Sequence, residues 1–247
     1  MELANRVKSI IFDCVRKSNT ETKYREPLIG FAAAKDPLFL QLKEIIGDYY
    51  LQPVDLLPGA KTVIAFFLPF NKDIVAANRG SKVAREWALA YAETNNLISE
   101  ICAKLKSELN GLGITTASEK ATHNFNEKDL ITPWSHKSTA YIAGLGTFGL
   151  HRMLITSAGC AGRFGSIVIS AEIPPTDRPE GKYCRYYTEK KCMFCVKNCP
   201  TGALQIDGID KFKCYKQLLE IDQQFSDLGL CDACGKCAVG PCALGER

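Results

Sequence analysis

The feature that most restricts this chain is the crowding of cysteine toward its carboxyl end. Of twelve cysteines in 247 residues, nine fall between positions 184 and 247. These nine are Cys184, Cys192, Cys195, Cys199, Cys214, Cys231, Cys234, Cys237 and Cys242. A reducing cytosol does not keep so many thiols as disulfides, so their crowding predicts metal ligation. Cys14 and Cys102 lie on apolar helical faces and are predicted core residues. Cys160 lies in a glycine-rich loop, where it is a candidate pocket residue.

The spacing of these cysteines indicates the kind of metal centre. The segment from Cys192 to Pro200 reads C-x2-C-x3-C-P, the latter part of the bacterial ferredoxin pattern. That pattern would begin at position 189, where this chain has Glu189, and Cys184 is the nearest upstream substitute. A second group, spaced C-x2-C-x2-C-x4-C, spans 231–242. The cysteine-proline step and the interleaving of two groups favour two [4Fe–4S] clusters over two zinc sites or a single cluster.

Two cubane clusters need eight thiolates, and the region offers nine. We predict that one cluster is held by Cys184, Cys192, Cys195 and Cys242. We predict that the other is held by Cys199, Cys214, Cys234 and Cys237. Cys231 is then the ninth thiol. A competing allocation exchanges Cys214 and Cys231, and spacing alone leaves this choice open.

The first 175 residues mix helical and strand patterns around one predicted sheet. Apolar periodicity and capping residues predict helices at 1–17, 36–46, 81–110 and 135–143. A continuous apolar run at 61–68 predicts a strand buried on both faces, and 113–116 and 163–172 predict two more strands. Two short helices are expected near residue 203 and over 216–221. Pro174-Pro175 ends the first unit, which predicts domains at 1–175 and 176–247.

Charge and hydropathy restrict the partners of the chain. The net charge is only +4, and a run of five like charges is absent from the sequence, which argues against a basic tail for nucleic acid. The amino terminus lacks a basic-then-apolar signal, and the longest apolar stretch, about 63–70, is too short to cross a bilayer. These observations predict a cytoplasmic protein without membrane contact.

A second informative stretch is rich in glycine. Gly144, Gly146 and Gly149 match G-x-G-x-x-G, and further glycines follow at 159, 162 and 165. Glycines this dense let backbone approach a ligand closely, although tight turns between packed elements are the alternative. The string follows a predicted helix rather than a strand, which argues against a nicotinamide site.

These motifs resemble the epoxyqueuosine reductases, which are cobalamin-dependent iron–sulfur enzymes related to reductive dehalogenases. The resemblance covers roughly 83–242. The matching segments are Ala84-Arg85-Glu86-Trp87-Ala88, Pro133 with Gly144-Leu145-Gly146 eleven residues later, Gly165-Ser166, Cys199-Pro200-Thr201-Gly202-Ala203 and Lys213-Cys214-Tyr215. The last segment supports Cys214 over Cys231 as a ligand.

The resemblance implies an α+β fold, with a nitroreductase-like α/β sandwich domain followed by a small ferredoxin-like domain that holds the two clusters. It implies cobalamin between the domains, with flavin less favoured. Electrons would pass from an external ferredoxin or flavodoxin through the clusters to that cofactor or to a small substrate. The implied cofactor-binding residues are Gly144, Leu145, Gly146, Gly149, His151, Gly165 and Ser166. The alternative is an electron-transfer or activator protein that carries clusters only and reduces a partner protein.

Three positions depart from the family pattern. The family's acidic proton donor, three residues before Pro133, is Leu130 here, with Asp129 beside it, and the family's glutamate three residues after the proline is His136. The usual Gly-Lys after the glycine loop reads Gly149-Leu150. Asp129 and His136 are therefore the candidate catalytic proton donors. The helical-repeat region that helps longer members hold tRNA is missing from this sequence. We therefore expect a short paralogue acting on a small molecule or modified nucleoside rather than on tRNA.

Overall fold

The computed structural model describes residues 1–245, so the last two residues of the predicted second domain lie outside the described part. The helices are α1 (Glu2–Arg16), α2 (Pro37–Ile46), α3 (Pro53–Leu56), α4 (Lys72–Ala77), α5 (Arg85–Asn110), α6 (His136–Ile142), α7 (Arg185–Glu189), α8 (Phe194–Lys197) and α9 (Lys211–Gln224). The strands are β1 (Leu28–Ala33), β2 (Thr62–Pro69), β3 (Thr116–Ala117), β4 (Gly146–Phe148), β5 (Leu154–Thr156) and β6 (Gly162–Ile169). Two 3₁₀ turns cover Ser226–Leu228 and Lys236–Ala238.

Several helices begin where a side chain caps the first turn. The Asp36 carboxylate accepts a hydrogen bond from the Leu38 N–H at 3.0 Å, and Pro37 occupies the first helical position of α2. Ser135 caps α6 and Asp210 caps α9 in the same way. Such caps satisfy amide groups that have no partner inside the helix. The starts of these helices are therefore encoded locally.

The main sheet is antiparallel, with the strand order β1-β2-β6-β3. Strand β2 is buried along its whole length because it is a central strand with helices on both faces. A separate two-stranded hairpin pairs β4 with β5. The predicted doubly buried strand is thus confirmed, and its neighbours β1 and β6 complete the centre of the sheet.

Alternate residues of β2 enter two separate cores. Ile64, Phe66 and Leu68 pack with α1 and α5 on one face of the sheet. On the other face, Val63 and Phe67 pack with α2 and α6. This period-two division follows from the pleat of a strand. The molecule is thus a three-layer α/β/α arrangement with a small antiparallel sheet.

The cysteine-rich segment packs against one end of this arrangement. A third core joins Phe70 and Trp87 to Cys184, Cys195 and Val239. Among residues 1–245, no helix is both long and apolar enough to span a membrane.

The structure corrects several predicted elements. The long helix begins at Arg85 rather than at residue 81, and the strand expected at 113–116 is the two-residue β3. Near residue 203 the chain forms a turn and an isolated bridge between Leu204 and Ile209 instead of a helix. The helix expected at 216–221 is the longer α9. The prediction does not include strands β1, β4 and β5 or helices α3, α4, α7 and α8, because most of them are short and depend on pairing or packing with distant segments.

Candidate metal centre

Five cysteine side chains line one cavity in the cysteine-rich segment. They are Cys184, Cys192, Cys195, Cys237 and Cys242, and Cys237 also lines a second cavity. Burial raises the pKa of Cys195 to about 11, and the nearby Cys242, Cys184 and Cys192 add to the shift. Thiols that oppose one another's ionisation are close together, and a bound cation would relieve this repulsion.

A second cavity is lined by Cys199, Cys214, Cys234 and Cys237. Burial, together with the charges of Cys234 and Cys199, raises the pKa of Cys214 to about 11. Burial opposes ionisation of Cys199, yet hydrogen bonds from the Leu204 N–H and other nearby groups lower the pKa of that thiol. His151 and Cys237 line both cavities, so the two cavities are neighbours.

Cys231 lies apart from this arrangement. Its side chain is fully buried, and its thiol donates to the Ala88 carbonyl at 3.5 Å. It packs with Ala88, Ile221 and Phe225 in a small apolar cluster. Within the described residues, Cys231 lines neither of the two cavities. Its environment is that of a core residue.

A triad of possible ligand atoms lies at one corner of the first cavity. Cys242 Sγ is 3.4 Å from His151 Nε2 and 3.7 Å from Cys160 Sγ. All three ligand atoms lie within 4.8 Å of one another. The hydrogen bond with Cys160, opposed by burial and reinforced by His151, lowers the pKa of Cys242 to about 5. Sequence reasoning did not connect Cys160 to this corner, because 82 residues separate it from Cys242. The only local signal was its glycine-rich surroundings.

The glycines of the predicted cofactor loop face the chain's own atoms. A Cβ added at Gly144 would lie 2.6 Å from the Asp177 carbonyl oxygen, and one at Gly146 would lie 2.1 Å from that of Ile155. At Gly149 and Gly165 the nearest atoms belong to His151 and to Phe66. Leu145 belongs to the core beneath α6. These glycines allow close packing between protein segments in this arrangement, so their positions do not fit a cobalamin cradle.

Ser166 and His136 form a buried polar network with Trp134. The Trp134 indole N–H donates to Ser166 Oγ at 3.0 Å, and His136 Nδ1 lies 2.8 Å from the same oxygen. His136 Nε2 lies 2.9 Å from the Lys120 carbonyl, which can only accept, so Nε2 carries the proton and Nδ1 accepts from Ser166. Burial lowers the pKa of His136 to about 4, so the ring is neutral near pH 7. Both ring nitrogens have protein partners.

The other candidate proton donor, Asp129, lies on the exposed loop before Pro133. One of its carboxylate oxygens accepts the Ile131 N–H at 3.1 Å, which stabilises the local turn. Asp129 and His136 therefore occupy different environments, one at the surface and one in the core. Their catalytic roles stay predictions.

The fold and the site together define a class of protein. The chain has a mixed α/β architecture around a small antiparallel sheet, followed by a cysteine-rich segment that arranges thiols around two neighbouring cavities. No protein-family profile matches the chain.

Sequence comparison finds relatives of this chain among the epoxyqueuosine reductases. The chain is 27% identical over 157 residues to the epoxyqueuosine reductase of Escherichia coli (strain K12). The matched region covers 62% of this chain and 38% of that protein. The chain is 24% identical over 177 residues to the epoxyqueuosine reductase of Vibrio cholerae, covering 68% of this chain and 43% of that protein. The chain thus spans less than half the length of these curated relatives. The resemblance to epoxyqueuosine reductases predicted from the sequence is confirmed.

Solved structures show the same fold. An epoxyqueuosine reductase structure superposes with a TM-score of 0.60 at 19% identity, covering 97% of this chain and 66% of that one. The enzyme from Streptococcus thermophilus gives 0.60 at 18% identity, covering 98% and 66%. A catabolic reductive dehalogenase gives 0.54 at 13% identity, covering 86% and 34%. The mixed α/β fold of this chain is therefore that of the epoxyqueuosine reductases.

Proposed function

We propose that this chain is an iron–sulfur oxidoreductase of the epoxyqueuosine reductase type that holds two [4Fe–4S] clusters and passes electrons from an external donor to an acceptor. The donor is a ferredoxin or flavodoxin. Residues 1–175 form a nitroreductase-like domain and residues 176–247 form a ferredoxin-like cluster domain. Bound clusters would supply one-electron redox chemistry near the protein surface.

One observation carries this proposal: two neighbouring cavities are together lined by all eight predicted ligand cysteines, and Cys237 lines both of them. A cubane cluster needs four thiolates, and the eight cysteines around the two cavities leave Cys231 in the apolar core. Beyond the effect of burial, Cys242, Cys184 and Cys192 raise the pKa of Cys195, which agrees with this grouping. The pKa of Cys237 is raised by Cys234, Cys214 and Cys199 of its own group and also by Cys195, because Cys237 lies between the two groups. This grouping supports Cys214 over Cys231 as the remaining ligand.

The acceptor is best explained as a protein partner or a small molecule bound from outside. The glycine positions that would cradle a cofactor are filled by the chain's own backbone and side chains. Ser166 is buried and already hydrogen-bonded to Trp134 and His136. The packing around these residues supports a relay that uses the clusters alone.

A corrinoid-dependent reductase is the second candidate, and the sequence match supports it. The match to epoxyqueuosine reductases extends over 157 residues. One structure of that enzyme carries a tRNA-Tyr epoxyqueuosine-modified stem loop, and one dehalogenase structure is described as suggesting a mechanism for B12-dependent dehalogenation. For this chain, that function requires the loop around Asp129 and the network around His136 to open. Those two residues would then supply protons to a small molecule or modified nucleoside.

The test is a cofactor inventory of anaerobically purified protein. We expect about eight irons and eight sulfides per chain, with broad visible absorbance that bleaches on reduction. Hydroxocobalamin is then added, and cobalt is measured after gel filtration. A protein that retains clusters without cobalt supports the relay, whereas one cobalt per chain supports the second candidate. A colourless protein with two zinc ions per chain contradicts both.

A Cys14→Ala variant provides the matched control for this inventory. Cys14 is half-buried on α1, which packs against α5 rather than against the cysteine-rich segment. Its removal should leave the iron content unchanged. A loss of iron in this variant would show that iron content reports general stability rather than ligation.

A further inference from the structure

His151 and Cys160 lie close to Cys242, although two [4Fe–4S] clusters with eight cysteine ligands require neither residue. Cys160 is 1% exposed and His151 is 4% exposed, and both approach the sulfur of Cys242. Neither residue belongs to the predicted ligand set. Two buried polar groups aimed at one sulfur atom need a physical explanation.

The orientation of the His151 proton follows from its other contact. The Met153 backbone N–H donates to His151 Nδ1 at 3.0 Å, so that nitrogen is an acceptor. A neutral imidazole with Nδ1 as acceptor carries its hydrogen on Nε2. Nε2 is the atom that lies 3.4 Å from Cys242 Sγ. His151 is therefore positioned to donate to that sulfur.

Backbone contacts hold Cys160 in place. Its N–H donates to the carbonyls of Cys242 and Ala243, each at 3.1 Å. A Cβ added at the preceding Gly159 would lie 2.1 Å from the Ala243 oxygen, so the two segments are in close contact. The position of the Cys160 sulfur is thus determined by main-chain pairing and not by a free rotation of the loop.

The direction of the contact between the two sulfurs follows from charge. A Cys242 thiolate that ligates iron can only accept a hydrogen bond, so the Cys160 S–H must donate. The Ala238 carbonyl, also 3.7 Å from Cys160 Sγ, is the competing acceptor. A thiolate is the stronger acceptor because it is charged.

We propose that His151 and Cys160 are positioning residues that donate hydrogen bonds to Cys242 and raise the reduction potential of the cluster held by that cysteine. Reduction adds negative charge to the cluster and its sulfur ligands, so donors aimed at a ligand sulfur stabilise the reduced form more than the oxidised form. This inference rests on the proposed function, because it needs a cluster at Cys242.

The experiment is a potentiometric titration of anaerobically purified protein, followed by electron paramagnetic resonance. Cys160→Ala and His151→Phe each remove one donor. We expect each to decrease the reduced-to-oxidised ratio of one cluster about tenfold at a fixed ambient potential, which is about 59 mV for a one-electron couple. Cys160→Ser and His151→Gln keep a donor and should shift the ratio less.

Cys102→Ala is the matched control, since Cys102 is also buried but packs in the core between α1 and α5. It should leave both potentials unchanged. If the wild-type protein holds clusters but the reduction potentials are unchanged in Cys160→Ala and His151→Phe, this inference alone is overturned. Loss of iron in Cys160→Ala also overturns it, because Cys160 would then be a ligand. Wild-type protein that assembles no cluster overturns the proposed function as well.

Discussion

Cys214 and Cys231 offer the sharpest test of the cluster assignment, since they are consecutive cysteines of the sequence but have different surroundings. Cys214 lines the second cavity, and Cys231 is buried against Ala88. We predict that Cys214→Ala removes one of four ligands and reduces iron from about eight to about four per chain. Cys231→Ala should retain all of the iron.

The expected effect of Cys231→Ala on stability can be worked from its packing. The substitution removes one fully buried sulfur atom and leaves a small apolar space beside Ile221 and Phe225. A buried group of this size contributes about 1 kcal/mol to the free energy of unfolding, and the weak hydrogen bond to the Ala88 carbonyl adds little. The variant should therefore unfold slightly earlier in urea while keeping its clusters.

The assay measures iron, acid-labile sulfide and paramagnetic signals of both variants beside the wild type, all prepared without air. If Cys231→Ala contains about half of the wild-type iron and Cys214→Ala contains all of it, the assignment is refuted and the competing one is supported. Equal loss in both variants would indicate that the segment misfolds when either thiol is removed.

Three further predictions concern packing and protonation. Because burial lowers the pKa of His136 from 6.5 to about 4, the folded protein takes up its proton later than the unfolded chain as pH falls. The free energy of unfolding, measured in urea, should therefore decrease by about 2 kcal/mol between pH 7 and pH 5. His136→Gln should reduce this loss. Gly235→Ala should be far more destabilising in thermal melts than Gly181→Ala, since both have positive φ but only a Cβ at Gly235 would lie 2.0 Å from Trp87. The strain of positive φ alone costs about 1–2 kcal/mol. Lys236→Met should cost about 3 kcal/mol in urea unfolding, because the buried ammonium donates to three backbone carbonyls at 2.6–2.7 Å.

A specific result would contradict each of these three predictions. Wild-type and His136→Gln proteins with identical pH dependence would show that the buried imidazole does not cause the acid sensitivity. Equal melting temperatures for the two glycine variants would contradict the close approach of Trp87. For Lys236, the exposed Lys213→Met is the control, and a similar effect from both would show that the buried contacts contribute little.

Much of the fold could be predicted from local patterns. The apolar run that forms β2 and the capped starts of α2 and α6 each carry their signal within a few residues. Strand β1 could not be predicted this way, because Pro27 and Gly30 interrupt its pattern and its pairing with β2 makes it a strand. The helix expected near residue 203 failed for a related reason, since Gly202 adopts a positive φ of 63° in a turn.

The sequence by itself determined the chemistry available to this protein. The C-x2-C spacings and the Cys199-Pro200 step indicate thiolate ligation, because neighbouring sulfurs at such spacing can reach one metal centre whatever the rest of the chain does. Only the tertiary structure decided which distant groups join them. Folding back of the segment that ends at Cys242 brings its sulfur to the first cavity and beside Cys160. The same packing fills the space around Gly146 with the chain's own backbone, because contacts between residues far apart in sequence depend on the whole core.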